Sequence, residues 1–303
     1  MAVSSPAPVS VVVPTFNDAE YVADAITSLL TQTLRPAEIL VVDDGSTDDT
    51  ATLVRDRFGS AVTLIARSNG GPSRARNTGI EAASQPYVAF LDADDIWVPT
   101  KLERQLSLLD RTPSLGLVAT DWVRTAHELP ADVPAVDKLP TTTLGYTELL
   151  ALNRFQTSTV LVRTPLLREV GGFDPEVDGA EDWDLWVRLA QAGGVVKIDW
   201  PFVIYRDRAS GYSKDVWRVY ETMLLLLDKH RAGAPLSRAR FRELEAWHHL
   251  RFFVALALLH DREHARQALR AAFRDGLWPY ALEASVTRLV PFLYGRMRRR
   301  KGR

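Results

Sequence analysis

Residues 87–99, YVAFLDADDIWVP, decide how this chain is read. The first five, Tyr87 to Leu91, form an apolar run of strand length, suited to burial on both faces. The run ends in three carboxylates within four residues, Asp92, Asp94 and Asp95. Two like charges about 4 Å apart repel by roughly 4 kcal/mol at an effective dielectric near 20. Such a cluster at the mouth of a buried strand calls for a cation. Oxygen ligands select a hard ion, Mg²⁺ or Mn²⁺, which commonly shares its coordination with substrate phosphates. The plainer alternative is that Asp94 or Asp95 caps the helix announced by Pro99.

Outward from this stretch, strands and helices alternate. VSVVVP, residues 9–14, is a β-branched strand stopped by Pro14. Asp18 opens a helix with Val22, Ile26, Leu29 and Leu30 on one face, and Ile39 to Val42 is a second strand running into Asp43-Asp44-Gly45-Ser46. A helix from Asp48, a strand near 62–66 and the loop and helix start NGGPSRARNTG, residues 69–79, precede the central strand. Beyond it come a helix over 99–111, a strand over 115–123, an irregular loop over 127–145 and a strand over 156–162. A turn at 171–175, a helix over 181–192 and strands near 195–199 and 202–205 complete this part. From Asp215 onward the pattern is helical. Alternation of this kind predicts a largely parallel sheet between helical layers. Ligands of such sheets sit beyond the carboxyl ends of the strands. Pro14–Asn17, Asp43–Ser46, Asn69–Asn77 and Asp92–Asp95 all fall there, so that edge is the expected site.

Bulk composition sets outer limits. The chain has 303 residues, 46% hydrophobic and 25% charged, with net charge −1 and no cysteine. That length holds one large domain, or a domain with a helical appendage. Without cysteine, disulfides and thiolate metal sites are excluded, and a reducing, cytoplasmic compartment is the expected location. The start MAVSSPAPVSVVVP lacks a basic region ahead of its short apolar run and reads as a strand rather than a signal peptide. No uncharged apolar stretch reaches about 18 residues, so no transmembrane helix is expected. Charge is uneven: Arg296 to Arg303 carries six cationic side chains, and without them the remainder stands at −7. With Leu282, Val286, Leu289, Val290 and Leu293 on one helical face before it, that end reads either as a packed helix with a solvated basic tail or as a peripheral anchor on the inner face of a membrane.

The loop residues admit definite chemistry. Asp43 and Asp44 form either an acidic turn or a hydrogen-bond acceptor for a base or ribose. Arg74 and Arg76 are cationic forks suited to phosphate at a helix N-terminus, although the loop is neither a G-x-G-x-x-G fingerprint nor a Walker loop. Glu181-Asp182 either favours the dipole of the helix it opens or includes a general base. Trp183 and Trp186 read as core or wall, and His248-His249 as surface or core residues rather than ligands.

VSVVVPTFNDAEYVADAITSLLTQTLRPAEILVVDDGSTDDT, NGGPSRARNTG, FLDADD and GAEDWDLWVRLAQAGG, in that order, resemble the successive motifs of the family two glycosyltransferases, over roughly residues 8–212. The resemblance implies an A-type glycosyltransferase fold, α/β and Rossmann-like, with a mostly parallel sheet flanked by helices and a C-terminal helical extension. It also implies a catalytic domain at 8–212, a helical region with a basic tail at 213–303, and an inverting transferase that uses a nucleotide-sugar donor. Carried over residue by residue, Pro14 and Asp44 hold the base, with Asn69 and Arg76 helping at the nucleotide. Asp92 touches the nucleotide-sugar region, and Asp94 binds Mn²⁺ or Mg²⁺ at the diphosphate. Asp182 is the catalytic base with Glu181 beside it. After Tyr205-Arg206, where many relatives carry a histidine, Asp207-Arg208 stands, making Arg208 the expected diphosphate partner. The expected activity moves a hexose from a UDP-sugar to a hydroxyl of a glycan, lipid-linked or cell-envelope acceptor, with no nucleic-acid partner. The rival readings are a sugar-nucleotide pyrophosphorylase, which calls for a Gly-rich phosphate loop where Pro14-Thr15-Phe16-Asn17 stands, and a non-catalytic binding module of the same fold.

Overall fold

The computed structural model describes residues 5–124, 133–177, 179–206, 215–274 and 277–289. The chain divides into two compact units, one within Met1–Leu149 and Asn153–Ala209, the other within Leu150–Leu152 and Ser210–Arg303.

The first unit is built on strand β1 (Ala7–Thr15). Val9, Val11, Val12 and Val13 are fully buried there. Burying each such side chain favours the fold by about 1.5–3 kcal/mol. β2 (Pro36–Asp43) and β4 (Tyr87–Phe90) pair with β1 in parallel, and β3 (Thr63–Ala66) pairs with β2 in parallel. The intervening helices are α1 (Val22–Leu30), α2 (Thr50–Phe58) and α3 (Pro72–Ala82). α3 lies so close to the sheet that a Cβ at Gly79 would stand 2.3 Å from Val12 Cγ1. This parallel half is the sheet expected from the alternation of strands and helices.

The other half of the sheet is mixed in direction. β5 (Ile96–Trp97) and α4 (Lys101–Arg111) follow the central strand, and β6 (Leu115–Arg124), β7 (Thr141–Leu144), β8 (Leu161–Arg163) and β9 (Gly194–Tyr205) complete the sheet. Among the described residues its order is β3-β2-β1-β4-β8-β6-β9-β5, with β7 on β9. β6 runs parallel to β9, and the remaining pairings of this half are antiparallel, β8 with both β4 and β6 among them.

Three local expectations change. Part of the loop foreseen at 127–145 is strand: the Thr-rich segment β7 pairs antiparallel with Val195–Ile198, while 125–132 lie outside the described residues. The strand foreseen at 156–162 is a 3₁₀ turn at Thr157–Thr159 followed by the short β8. The two strands foreseen at 195–199 and 202–205 are one strand, β9, whose register against β6 shifts between Thr120 and Asp121. Asp199 and Trp200 form the extra length, and Pro201 follows them opposite Asp121. Helices α5 (Tyr146–Ala151), α6 (Thr164–Glu169) and α7 (Glu181–Ala192) connect these strands.

The second unit is helical: α8 (Val216–Arg231), α9 (Arg238–Leu258), α10 (Arg262–Phe273) and α11 (Trp278–Ala284), the last running into a π-turn at Ser285–Leu289. Asp215, Ser237 and Asp261 each cap a helix by accepting from a backbone N–H three residues on. Among the described residues no helix is long and apolar enough to cross a membrane.

Candidate active site

Parallel strands bring their carboxyl ends to one edge, and there the loops tie to one another. The β1–α1 loop turns at Asn17, which has φ of 56°. Its side-chain oxygen accepts from Thr47 N at 2.8 Å, while its N–H donates to Ser46 Oγ at 2.9 Å. Asp18 accepts from Phe16 N and Thr15 Oγ1, and its own N–H donates to Thr50 Oγ1. Gly45 holds φ of 81°, with a position for Cβ only 2.9 Å from Asn69 N, so a glycine is needed where the β2 loop passes the 67–71 segment.

Asp44 is the organiser of that second crossing. Its carboxylate accepts from Gly71 N at 2.8 Å, from Gly70 N at 3.1 Å and from Arg67. These bonds shape the Gly70-Gly71 start of α3, leaving Asp44 one face toward the cavity rather than a whole free carboxylate.

A cavity of about 400 Å³ opens between these loops. Pro14, Asp44, Asn69, Arg76, Asp92 and Asp94 line it, together with Thr15, Phe16, Asp18, Gly71, Pro72, Ala75 and Ala93. Six of the expected site residues are thus brought to one place. Arg208 lies outside the described residues.

Glu181 and Asp182 join through Arg76. This buried arginine donates from Nη1 to Glu181 Oε1 at 2.9 Å and from Nη2 to Asp92 Oδ1 at 2.8 Å, with its guanidinium 5.3 Å from the Phe173 ring centroid. Despite burial, the two carboxylates hold the guanidinium charged, its pKa above the ordinary arginine range. Glu181 also accepts from Gly179 N at 2.7 Å, so its role in the ground state is that of an ion-pair partner. Asp182 has no such bond to Arg76. It accepts from Trp183 N and, at 3.3 Å, from Asn153 Nδ2. Burial first, then the neighbouring Glu181 charge, push its pKa up to about 7, where a carboxylate serves well as a base near neutral pH.

The Asp92–Asp95 cluster is not a three-ligand group. Neither Asp94 nor Asp95 caps a helix, since α4 begins at Lys101 behind Thr100. Asp95 is buried, accepting from Ser158 Oγ at 2.6 Å and Arg206 N at 3.2 Å, and burial raises its pKa well above the usual carboxylate range. Asp92 and Asp94 face the cavity. Among the described residues no three acidic, histidine or cysteine side chains gather in metal-binding geometry. Two carboxylates fit an ion of the Mg²⁺ type, which is held by one or two protein carboxylates and completed by phosphate oxygens and water.

Sequence reasoning passed over Phe16, Asn153 and Ser158. Phe16 is a half-exposed aromatic in an otherwise polar loop at the cavity, and that contrast was a usable signal. Asn153 and Ser158 lie in segments without a motif. Trp186 is buried against Phe155 and Phe173, and Trp183 donates to Leu149 O, so both are core residues. His248 and His249 are buried in α9.

Comparison with known proteins agrees with the fold. The Glycosyl transferase family 2 profile matches residues 10–151. A UDP-Glc:alpha-D-GlcNAc-diphosphoundecaprenol beta-1,3-glucosyltransferase of Escherichia coli, WfgD, is 29% identical over 203 residues, covering 67% of this chain and 77% of the relative. An uncharacterized glycosyltransferase of Rickettsia prowazekii, RP339, is 28% identical over 195 residues, 62% of this chain and 60% of the relative. The chain spans less than two thirds of the length of several such relatives. In fold it resembles S. aureus TarS 1–349 in complex with UDP-GlcNAc, with TM-score 0.65, 21% identity, and 91% and 79% of the two chains covered. It also resembles the mannosyltransferase PcManGT of Pyrobaculum calidifontis in complex with GDP-Man and Mn²⁺, with TM-score 0.62, 24% identity, and 95% and 81% covered. Over residues 10–151, just under half of its length, the chain is similar to glycosyl transferase family 2.

Proposed function

We propose that this chain is an inverting glycosyltransferase that moves a hexose from a nucleoside-diphosphate donor, a UDP-sugar, to an acceptor hydroxyl. The observation that carries the reading is one cavity at the strand ends whose wall joins Asp44, Asp92 and Asp94 to the Glu181-Asp182 pair through the buried Arg76. A catalytic domain over 8–212 and a helical region over 213–303 divide the work between donor chemistry and acceptor contact.

In this reading Pro14, Asp44 and Asn69 bound the nucleoside, with Phe16 beside them, and Arg208 meets the diphosphate. Asp94, with Asp92 next to it, would hold a divalent ion, Mn²⁺ or Mg²⁺. When bound, that ion supplies positive charge against the diphosphate leaving group. Asp182 takes the proton of the acceptor hydroxyl. The hydroxyl oxygen forms its bond to the anomeric carbon on the face opposite the diphosphate, and the bond to the diphosphate oxygen breaks with its electron pair. Glu181, fixed by Arg76 and Gly179 N, keeps a negative charge beside Asp182 and so sustains its basicity.

The acceptor proposed is lipid-linked, in a cell-envelope pathway. WfgD acts on a diphosphoundecaprenol-linked sugar by its name. Trp278, Leu282 and Val286, spaced four apart along α11 and the π-turn, are more than half exposed, and the basic run Arg296 to Arg303 follows in sequence. An exposed Trp-bearing stripe followed by cations suits a peripheral contact with anionic lipid on the cytoplasmic side.

The test is release of nucleoside diphosphate from a panel of nucleotide sugars, with Mn²⁺ and with EDTA. Release from one donor class with Mn²⁺, abolished in Asp94→Ala, supports the reading. Consumption of a nucleoside triphosphate with a sugar phosphate would favour a pyrophosphorylase instead. Tight donor binding without turnover, with acceptor extracts present, would leave a binding module.

A further inference from the structure

The 3₁₀ turn Thr157–Thr159, which carries no motif, holds the Asp92–Asp95 turn in place. Ser158 is completely buried. Its Oγ accepts from Asp92 N at 3.1 Å and donates to Asp95 Oδ2 at 2.6 Å. Its carbonyl accepts from Trp97 Nε1 at 2.8 Å, so the turn also grips the strand that follows the acidic loop. Its own position is fixed from behind. Gln105 Nε2 donates to Thr159 O at 2.8 Å and to Val118 O at 2.7 Å. Gln105 is held in turn by Lys101 Nζ at 2.8 Å. The remaining oxygen of Asp95 accepts from Arg206 N, at the last described residue before segment 207–214.

A hydroxyl has one proton to give, and Ser158 gives it to Asp95 while receiving the Asp92 amide. Both ends of a four-residue turn are therefore fastened to one side chain. Asp94 lies between them and lines the cavity, so the shape of that turn bears on where its carboxylate is presented.

We propose that Ser158 is a positioning residue for donor binding: through Asp92 N and the Asp95 carboxylate it sets the direction in which Asp94 presents its carboxylate to the divalent ion on the donor's diphosphate. This rests on the assignment of that ion to Asp94. An alanine at 158 leaves Asp92 N and one oxygen of a buried carboxylate without their partner, and Asp95 then leaves its place or takes a new one. Either change re-forms the turn and swings Asp94. Displacements of about 1 Å at such sites can cost up to about 10²-fold.

Calorimetric titration with UDP, in Mn²⁺ and in EDTA, tests this on the full chain, with thermal melting recorded for each variant. The quantity read is the gain in UDP affinity that Mn²⁺ confers. Ser158→Ala is expected to reduce that gain by about tenfold or more, with affinity in EDTA kept within about twofold of native. Asp95→Asn should reduce it too, and the double variant should be no worse than the poorer single, because the two side chains act as one unit. A full Mn²⁺ gain in Ser158→Ala, even with a lower melting temperature, would overturn the proposal and leave Ser158 a part of the fold only. Additive losses in the double variant would also overturn it. If Ser158→Ala does not fold, Ser158→Cys, a weaker donor of similar shape, gives the same decision: a reduced gain supports the proposal and a full gain overturns it. Absence of any gain in the native chain would overturn both this inference and the assignment of the ion to Asp94.

Discussion

Replacing Arg76 by methionine tests the link that joins the two halves of the site. The side chain keeps much of its length but loses two charge-assisted hydrogen bonds, at 2.9 Å to Glu181 and 2.8 Å to Asp92. The two losses are unequal. The Asp92 side chain is 31% exposed and can rehydrate, whereas that of Glu181 is 11% exposed and keeps only Gly179 N. The cost is therefore that of one buried pair broken from one side, about 3–5 kcal/mol, rather than twice that. For a domain of 150–250 residues this corresponds to a fall of about 6–20 °C in melting temperature. Urea unfolding of the native chain, Arg76→Met, and Arg76→Met with Glu181→Gln would measure it. The double variant should recover part of the loss, since neutralising Glu181 removes the stranded buried charge. A loss below about 1 kcal/mol in Arg76→Met, or a double variant with additive losses, would refute the bridge as a buried ion pair.

Three further predictions follow from particular groups. Asp182 holds its proton up to about pH 7, well above an unfolded carboxylate near 3.9, so kcat/KM should climb as pH rises through about 7. The stability that this protonation lends the fold should fade as pH rises from about 4 to about 7, and urea unfolding of Asp182→Asn should lack that fade. Lys101 is fully buried beside the Trp97 ring, and burial lowers its pKa well below the ordinary lysine range. Its folded state takes up a proton less readily than the unfolded chain, so stability should fall as pH drops from the unfolded lysine range toward the folded value. Lys101→Met should flatten that slope in urea unfolding, and an unchanged slope would place the cause elsewhere. Flotation with anionic vesicles should show salt-sensitive binding that weakens in Trp278→Ser and on deletion of 296–303, whereas equal binding by both variants would reject the lipid contact.

The parallel half of the fold was legible because burial on both faces leaves long apolar strands, such as Val9–Val13 and Tyr87–Leu91, each ending in a polar loop. The mixed half was less so. Thr141–Leu144 pairs by its backbone along β9 and carries no alternation of apolar and polar residues, so it looked like loop. The bulge at Asp199-Trp200 masked the continuity of β9, since Pro201 interrupts the pattern but not the pairing. At the site, acids and glycines following strands marked Asp44, Arg76, Asp92 and Asp94. Spacing alone could not tell which of three neighbouring carboxylates faces inward, and it was the family resemblance that singled out Asp92 and Asp94. Only the fold shows that Asp95 turns away onto Ser158, and that the partners of Asp182 come from Asn153 and its own helix rather than from a motif.

One paired measurement tests both whether this cavity binds a nucleotide-sugar donor through Asp94 and whether transfer from it runs through Asp182. UDP affinity by calorimetry with Mn²⁺, and transfer rate with the donor the panel identifies, would be determined for the native chain, Asp94→Ala and Asp182→Asn. Asp94→Ala should lose donor affinity and turnover together. Asp182→Asn should keep donor affinity within about twofold while kcat falls by at least about 10²-fold. Near-native turnover in Asp182→Asn, or unchanged UDP affinity in Asp94→Ala, would contradict these roles.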